Sequence, residues 1–194
     1  MLPPDKPLMN PEPVTLKDGT QVVIRPIRPD DAEELQAAFQ RLSMESIYLR
    51  FLSVKKELTD AEAKQLATVD YTSRMAFVAI CAENGRENVI GVARYAMDDP
   101  HKPEIAESAV VVQDEYQGRG LGTLLLRRLV SYARRQGIRT LRGNMQIGNN
   151  CMLNMVRRSG LPHQTRFMDG MWEVSIDISQ VEVENERPEH PHPG

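Results

Sequence analysis

The stretch from residue 104 to residue 136 constrains the fold more than any other part of this 194-residue chain. It begins as the strand-like EIAESAVVVQ and passes through the glycine-spaced loop DEYQGRGLG. It then continues as a helix whose apolar residues recur on one broad face. A strand that leads through a short loop into an amphipathic helix is typical of a sheet covered by helices. We therefore expect an α/β fold with this loop at the end of a strand.

The spacing of the loop glycines separates the loop from two familiar nucleotide-binding loops. The phosphate loop of nucleotide hydrolases requires a Gly-Lys pair, which occurs nowhere in this chain. The dinucleotide fingerprint Gly-x-Gly-x-x-Gly differs from the Gly-x-Gly-x-Gly found here. We expect a helix to open at Gln117, with Gly118, Gly120 and Gly122 in its first turn. Such a turn presents unpaired N–H groups to a diphosphate, and Arg119 adds positive charge, although glycine is also common in turns for steric reasons alone.

The rest of the chain alternates between helical and strand periodicity and predicts a single domain over residues 14–179. The ends, residues 1–13 and 180–194, are rich in Pro or Glu, and we expect them to be loose. Strands are predicted at 21–26, 75–80, 89–97, 104–113, 140–147 and 171–179. Helices are predicted at 30–42, 43–51, 58–69, 120–136 and 149–161. Ser43 resembles a cap of the second, Thr59 and Glu62 form a capping box at the third, and Gly160 closes the last. The apolar run 109–112 predicts a buried central strand.

Charge and composition exclude several classes of function. A net charge of -3, from 24 basic and 27 acidic residues, does not favour a general nucleic-acid binder. No apolar run reaches the roughly 18 residues of a membrane span, so we expect no membrane association. The four histidines lack metal-site spacing, and Cys81 and Cys151 form no Cys-x-x-Cys pair. We expect a cytoplasmic protein with two reduced thiols and no metal.

The loop closely resembles the acyl-CoA signature of the GNAT N-acyltransferases, which is Gln/Arg-x-x-Gly-x-Gly/Ala after a strand. The resemblance extends over VVVQDEYQGRGLGTLLLRRL, about twenty residues. Further segments, among them LKDGTQVVIRPIRPDD, GVARY and GNMQIGNNCMLNMVRRSGL, resemble the GNAT domain of Pat-type protein lysine acetyltransferases, so that residues 15 to about 178 are covered. The resemblance implies the GNAT fold, a mixed, mostly antiparallel sheet that is flanked by helices and splayed between its fourth and fifth strands.

The same resemblance implies that acetyl-CoA is the acyl donor and assigns the residues that bind it. These are Val110, Val111, Val112, Gln117, Gly118, Arg119, Gly120, Leu121, Gly122, Thr123 and Asn149. The valines are candidates for pairing through their backbone with pantetheine and for polarising the thioester oxygen. Asn149 could contact pantetheine or cap the next helix, and the two roles are compatible.

Glu107 is the candidate general base. In a strand it shares one face with Ala109 and Val111, while Ser108, Val110 and Val112 share the other. Taken alone, this residue reads as a solvated glutamate near a strand end. The resemblance implies instead that Glu107 deprotonates the acceptor amine through water.

The resemblance to Pat implies a lysine side chain of a protein as acceptor, with an acyl-CoA synthetase or another metabolic enzyme as partner. A small amine and a non-catalytic acyl-CoA-binding module remain alternatives. Acidic residues expected near the acceptor groove would suit any cationic amine and do not decide between them: Asp70, Asp98, Asp99 and Glu104. The acyl-chain preference and the oligomeric state do not follow from the sequence.

Three departures from the family pattern stand out. Val156 replaces a tyrosine that acts as general acid in many GNAT enzymes, and Tyr116, Tyr132 and Tyr95 lack the matching spacing. We therefore expect the thiolate to leave without a dedicated acid. Gly148 stands where Pat-type domains usually have an acidic residue. The extra domains to which Pat-type GNAT domains are often fused are not found in the 194 residues, so we expect no control that depends on them.

Overall fold

A computed structural model of the chain describes residues 9–83, 85–97 and 99–181, which form one sheet with helices on both faces. Its strands are β1 (Glu12–Thr15), β2 (Gln21–Pro26), β3 (Arg74–Glu83), β4 (Arg86–Ala96), β5 (Ile105–Val112), β6 (Thr140–Met145), β7 (His163–Met168) and β8 (Met171–Asp177). Its α-helices are α1 (Ala32–Gln40), α2 (Met44–Phe51), α3 (Asp60–Ala67), α4 (Leu121–Arg135) and α5 (Asn150–Ser159). The mixed α/β architecture expected from the sequence is confirmed.

The sheet parts near its middle. Its strand order is β1-β2-β3-β4-β5-β6-β8-β7, and every neighbouring pair is antiparallel except β5 and β6. These two parallel strands pair only over Ile105–Glu107 and Thr140–Arg142, beyond which they diverge. This is the predicted splay. It follows the fifth strand rather than the fourth, because β1 adds one strand at the N-terminal edge.

Two apolar cores lie on opposite faces of the sheet. Strand alternation sends Phe77 and Tyr95 to the face covered by α4, where Leu125 and Leu129 pack fully buried. The other face carries α1 and α3, with Phe39 of α1 in a separate core cluster. Helix α4 comes so close to the sheet that a Cβ on Gly91 would lie 2.9 Å from a Leu125 methyl. The helices therefore hold both faces of β4 and β5.

The predicted helix ends are largely confirmed. Helix α3 opens with a capping box, in which Thr59 accepts from the Glu62 N–H and Glu62 accepts from the Thr59 N–H. Ser43 caps α2 by accepting from the Ser46 N–H. Helix α5 ends at Gly160, whose φ of +75° is readily adopted only by glycine.

Strand β7 was missed at the sequence level. It is a mostly exposed edge strand with polar side chains, so it lacks the apolar alternation that marks a half-buried strand. Its connection to β8 is nevertheless a strong hairpin signal, since Asp169 and Gly170 both have positive φ. At the other end, β1 starts at Glu12, inside the segment 1–13 that was expected to be loose. The remaining parts of the two ends, residues 1–8 and 182–194, lie outside the described residues.

The run 109–112 of β5 is half-buried, although the sequence predicted a fully buried strand. The prediction was wrong because β5 has a strand neighbour on one side only from Ser108 onward, where it pairs with β4 alone. Its β6 side loses its partner after Glu107. The apolar side chains therefore line an opening rather than a closed core.

Candidate functional site

Strand β5 presents backbone groups to the split between β5 and β6. The Gln113 N–H donates to the Ile90 carbonyl of β4 at 2.9 Å. Because bonding directions alternate along an antiparallel strand, Val111 is directed toward β4, whereas Val110 and Val112 are directed into the split. The Val112 carbonyl accepts a hydrogen bond from the side-chain Nε2 of Gln117 at 3.0 Å. Of the three predicted valines, Val110 and Val112 thus present backbone groups to an extended ligand.

The glycine loop precedes the helix instead of forming its first turn, contrary to the sequence prediction. A short 3-10 turn, Asp114–Tyr116, is followed by extended Gln117, and α4 begins only at Leu121. Gly118 and Gly120 have φ of +75° and +93°, which a right-handed helix excludes. Only Gly122 falls in the first helical turn, next to half-buried Thr123.

The loop and the N-terminus of α4 together form a cradle that fits a diphosphate. A positive φ, as at Gly118 and Gly120, costs little conformational free energy only for glycine. No atom lies within 4 Å of a Cβ position at Gly118. Leu121, 1% exposed, anchors the start of α4 in the core, so the N–H groups of that turn are held in place. Packing also favours glycine at position 122, because a Cβ there would lie 3.1 Å from the Met155 sulfur.

Arg119 is engaged with other residues of the protein. Its guanidinium forms an ion pair with Asp18 at 2.5 Å and lies 4.9 Å from the Tyr116 ring centroid. Sequence reasoning missed a second cation here: the Lys17 side chain lies 3.5 Å from the position of a Cβ on Gly120. Both Asp18 and Lys17 belong to the turn between β1 and β2, to which the sequence analysis assigned no site residue.

Asp114 ties the loop to helix α2. Its carboxylate accepts hydrogen bonds from the Ser43 N–H at 2.9 Å, the Ser43 hydroxyl at 2.7 Å and the Ser46 hydroxyl at 2.8 Å. The Gln117 amide also donates to the Ser46 hydroxyl at 3.2 Å. Partial burial raises the pKa of Asp114, but these hydrogen bonds outweigh it and leave the pKa below its usual range. No sequence signal identified this contact, which spans about seventy residues of chain.

Glu107 lies where the split opens. It is exposed, stands in register with Ala96 of β4 and Arg142 of β6, and belongs to the last parallel pair. It makes no hydrogen bond or ion pair within the described residues. The predicted sharing of one face with Ala109 and Val111 is consistent with the cavity beside α1 and α2, which both residues line. Three residues of strand, a rise of about 10 Å, separate Glu107 from Val110.

Two of the three candidate tyrosines, Tyr95 and Tyr132, offer no replacement for the missing general acid, whereas the third, Tyr116, is buried in the glycine loop beside Arg119. The Tyr95 hydroxyl donates to the Thr72 carbonyl at 2.9 Å, and the Tyr132 hydroxyl donates to the Tyr71 carbonyl at 2.6 Å. Burial raises the pKa of Tyr95. Val156, at the position of the family tyrosine, is fully buried. These hydroxyls stabilise the fold.

Asn149 caps α5, since its side-chain oxygen accepts from the Met152 N–H at 3.1 Å.

On the acceptor side, the Asp70 carboxylate is bound within its own turn, where it accepts from the N–H groups of Thr72 and Arg74. Asp98 lies outside the described residues. The expectation that acidic side chains prepare the groove for a cationic amine therefore finds no support from Asp70.

Two further properties concern the described residues as a whole. Among residues 9–83, 85–97 and 99–181, no group of three or more His, Cys, Asp or Glu side chains could hold a metal ion. Of the helices in this part of the chain, none has the length and apolar character needed to cross a bilayer.

Comparisons with known proteins agree with this geometry. The model of the acetyltransferase (GNAT) family matches residues 38–158. An acetyltransferase of Pseudomonas aeruginosa is 38% identical over 141 residues, which are 73% of this chain and 75% of that protein. The acetyltransferase Pat of Mycolicibacterium smegmatis is 30% identical over 181 residues, 93% of this chain. The chain spans about half (53%) of the length of that Pat protein.

A solved structure is similar as well. The GNAT domain of the S. lividans Pat protein superimposes with a TM-score of 0.77 at 29% identity, covering 86% of this chain and 96% of that domain. The resemblance to Pat-type domains inferred from the sequence is thus confirmed. The family model covers more than half of the chain. The chain therefore belongs to the GNAT family of acetyltransferases.

Proposed function

We propose that this protein transfers an acetyl group from acetyl-CoA to a primary amine, with Glu107 as the general base. The observation that carries the proposal is the position of Glu107 at the mouth of the β5–β6 split. The residues that would hold acetyl-CoA are the loop from Gln117 to Gly120, the first turn of α4 and the split-facing backbone of Val110 and Val112. When bound, acetyl-CoA supplies an activated acetyl thioester.

The residues present meet the chemical demands of the reaction. A primary amine has a pKa of about 10.4 and is mostly protonated at neutral pH, so Glu107 accepts a proton from it through water. The Val110 N–H stabilises the negative charge that develops on the carbonyl oxygen. A thiol pKa of about 8.5 makes the thiolate a good leaving group without a dedicated acid.

The proposed acceptor is a lysine side chain of a protein. The similarity to Pat over 93% of the chain supports this choice, and an acyl-CoA synthetase is the partner that the resemblance suggests. A small amine is the second candidate. The cavity beside α1 and α2 favours it, because a concave, mostly apolar pocket on the same face of the sheet as the base can hold a compact acceptor.

A matched pair of glutamine variants tests the base. We expect Glu107→Gln to lower kcat/KM by about 10²-fold or more while the Kd for acetyl-CoA stays unchanged. Glu33→Gln is the control, since Glu33 is an exposed glutamate in the first turn of α1 that is assigned no role in the site. Wild-type turnover by Glu107→Gln would refute the assignment.

Thiol release, measured with a panel of acceptors, separates the remaining alternatives. Release that depends on an added protein supports a lysine acceptor, and release that depends on a small amine supports the second candidate. Binding of acetyl-CoA without release under any condition would identify a non-catalytic acyl-CoA-binding module.

A further inference from the structure

A cavity lies on the Glu107 face of the sheet, between α1, α2 and strands β4 and β5. Its empty space amounts to about 610 Å³, a volume that includes open solvent at its mouth. Most of its wall is apolar, with Phe39 of α1 on one side and Ala109 and Val111 of β5 on the other. Its position next to the split makes it the compartment that an acceptor would enter to reach the thioester.

Two arginines interrupt the apolar wall, Arg50 of α2 and Arg94 of β4. Both are half-buried, and neither forms an ion pair within the residues that the structure describes. Arg50 lies 4.9 Å from the Phe51 ring centroid, a contact that leaves its N–H donors available. Two guanidinium groups in an apolar cavity are costly unless an anion compensates their charge.

The pKa values of the two arginines also reflect the cost of placing their charges in this cavity. Burial, together with the positive charges of Arg50 and Arg74, lowers the pKa of Arg94 to about 10. Burial also lowers the pKa of Arg50. Both groups nevertheless remain protonated at neutral pH, so the cavity holds two positive charges. A bound anion would relieve the repulsion between them.

The arginine pair lies beside the proposed base. Arg94 stands opposite Ala109 in the β4–β5 ladder, and Glu107 follows two residues along β5 on the same face. That step is about 7 Å along the strand. One acceptor molecule can therefore place an amine near Glu107 and an anionic group near the arginines.

We infer that the acceptor carries a carboxylate and that Arg50 and Arg94 bind it. This inference rests on the proposed N-acetyltransferase function and narrows its substrate class. Planar guanidinium groups bind carboxylates through paired, charge-assisted hydrogen bonds. The carboxylate belongs either to a free amino acid or to an acidic residue beside the lysine of a peptide.

Pairs of acceptors that differ only in the carboxylate test the inference and distinguish the two sources. The free pairs are lysine with cadaverine and leucine with isoamylamine. The peptide pair has Glu or Gln next to one lysine. We expect the wild type to prefer the carboxylate-bearing member of one of these sets by about tenfold to a hundredfold in kcat/KM, the effect of a charged hydrogen bond.

The preference should vanish in Arg94→Gln and be kept in part by Arg94→Lys. Arg127→Gln is the control, because it removes the same charge from an exposed position on α4. Arg50→Gln provides an independent variant should Arg94→Gln fail to fold. A wild type that shows no preference or prefers the members without the carboxylate, or an equal loss in the Arg127→Gln control, would overturn the inference.

A binding measurement keeps the inference separate from the catalytic proposal. At about five times its Kd, succinate should raise the wild-type unfolding temperature by about 2–4 °C relative to sodium chloride of equal ionic strength. Arg94→Gln should show no such shift. This result with an inactive enzyme would refute the proposed function but retain the anion site, whereas equal shifts in both proteins, or none in either, would refute the site.

Discussion

Substitution of Gly120 tests whether the loop geometry, rather than its charge, binds the cofactor. Gly120 has a φ of +93° and stands directly before α4. Alanine in such a conformation costs about 1–2 kcal/mol, because its Cβ approaches the following carbonyl oxygen. Space is available, since the nearest atom to a Cβ at Gly120 is the Lys17 Cε at 3.5 Å. The effect of Gly120→Ala is therefore backbone strain and not a clash.

Gly137 supplies a matched control. It has a φ of +86°, has nothing within 4 Å of its Cβ position, and lies beyond the far end of α4. Both Gly120→Ala and Gly137→Ala should lower the free energy of unfolding by about 1–2 kcal/mol, which corresponds to about 2–8 °C in unfolding temperature for a chain of this size. Only Gly120→Ala should displace the N–H groups of the cradle. Loss of one charge-assisted contact raises the Kd for acetyl-CoA by about tenfold or more.

Isothermal titration calorimetry with two ligands measures the difference. Acetyl-CoA should distinguish Gly120→Ala from Gly137→Ala, whereas acetyl-pantetheine, which lacks the diphosphate, should bind both variants alike. If the two variants bind acetyl-CoA with equal affinity, the glycine cradle does not hold the diphosphate. If they differ equally with both ligands, the loop acts on the thioester end instead.

Two further predictions concern stability. Asp31→Ala should lower the free energy of unfolding by about 3–5 kcal/mol, because it leaves the buried Arg25 guanidinium, 2.6 Å from Asp31, without its partner. Burial raises the pKa of Asp31, but hydrogen bonds from Arg25 and the Arg28 N–H lower it further, so its net pKa is depressed. Its stabilisation is therefore present above the unfolded pKa of about 3.9 and is lost as the pH falls through the folded pKa, and the acid limb of the wild-type stability curve should flatten in the variant. Tyr95→Phe should cost about 1 kcal/mol in urea unfolding and leave kcat unchanged, and a large drop in kcat would show that Tyr95 acts as an acid.

Local signals predicted most of the fold. The Thr59–Glu62 capping box and the Ser43 cap marked helix ends because capping depends on residues three positions apart. The face shared by Glu107 and Ala109 followed from strand alternation alone. Strand β7 was not predicted because an exposed edge strand needs no apolar pattern.

The parts of the site that the sequence did not reveal arise from contacts between distant elements. Arg50 and Arg94 come from a helix and a strand that only the fold brings to one cavity. Gly118 and Gly120 were wrongly assigned to the first helical turn because helical periodicity does not report the sign of φ at these residues. The half-buried state of β5 depends on where β6 diverges, which no property of β5 itself encodes.

The Asp114 carboxylate has a thermodynamic consequence. It joins the loop that would hold the diphosphate to the N-terminus of α2, and α2 carries Arg50 of the acceptor cavity. A displacement of the loop on acetyl-CoA binding is transmitted to α2 through this carboxylate. By linkage, any factor by which acetyl-CoA changes the affinity for the acceptor is the factor by which the acceptor changes the affinity for acetyl-CoA. If donor and acceptor bind as proposed, Asp114 joins their two sites, and we expect that cutting its contact with Ser43 reduces any coupling between their affinities.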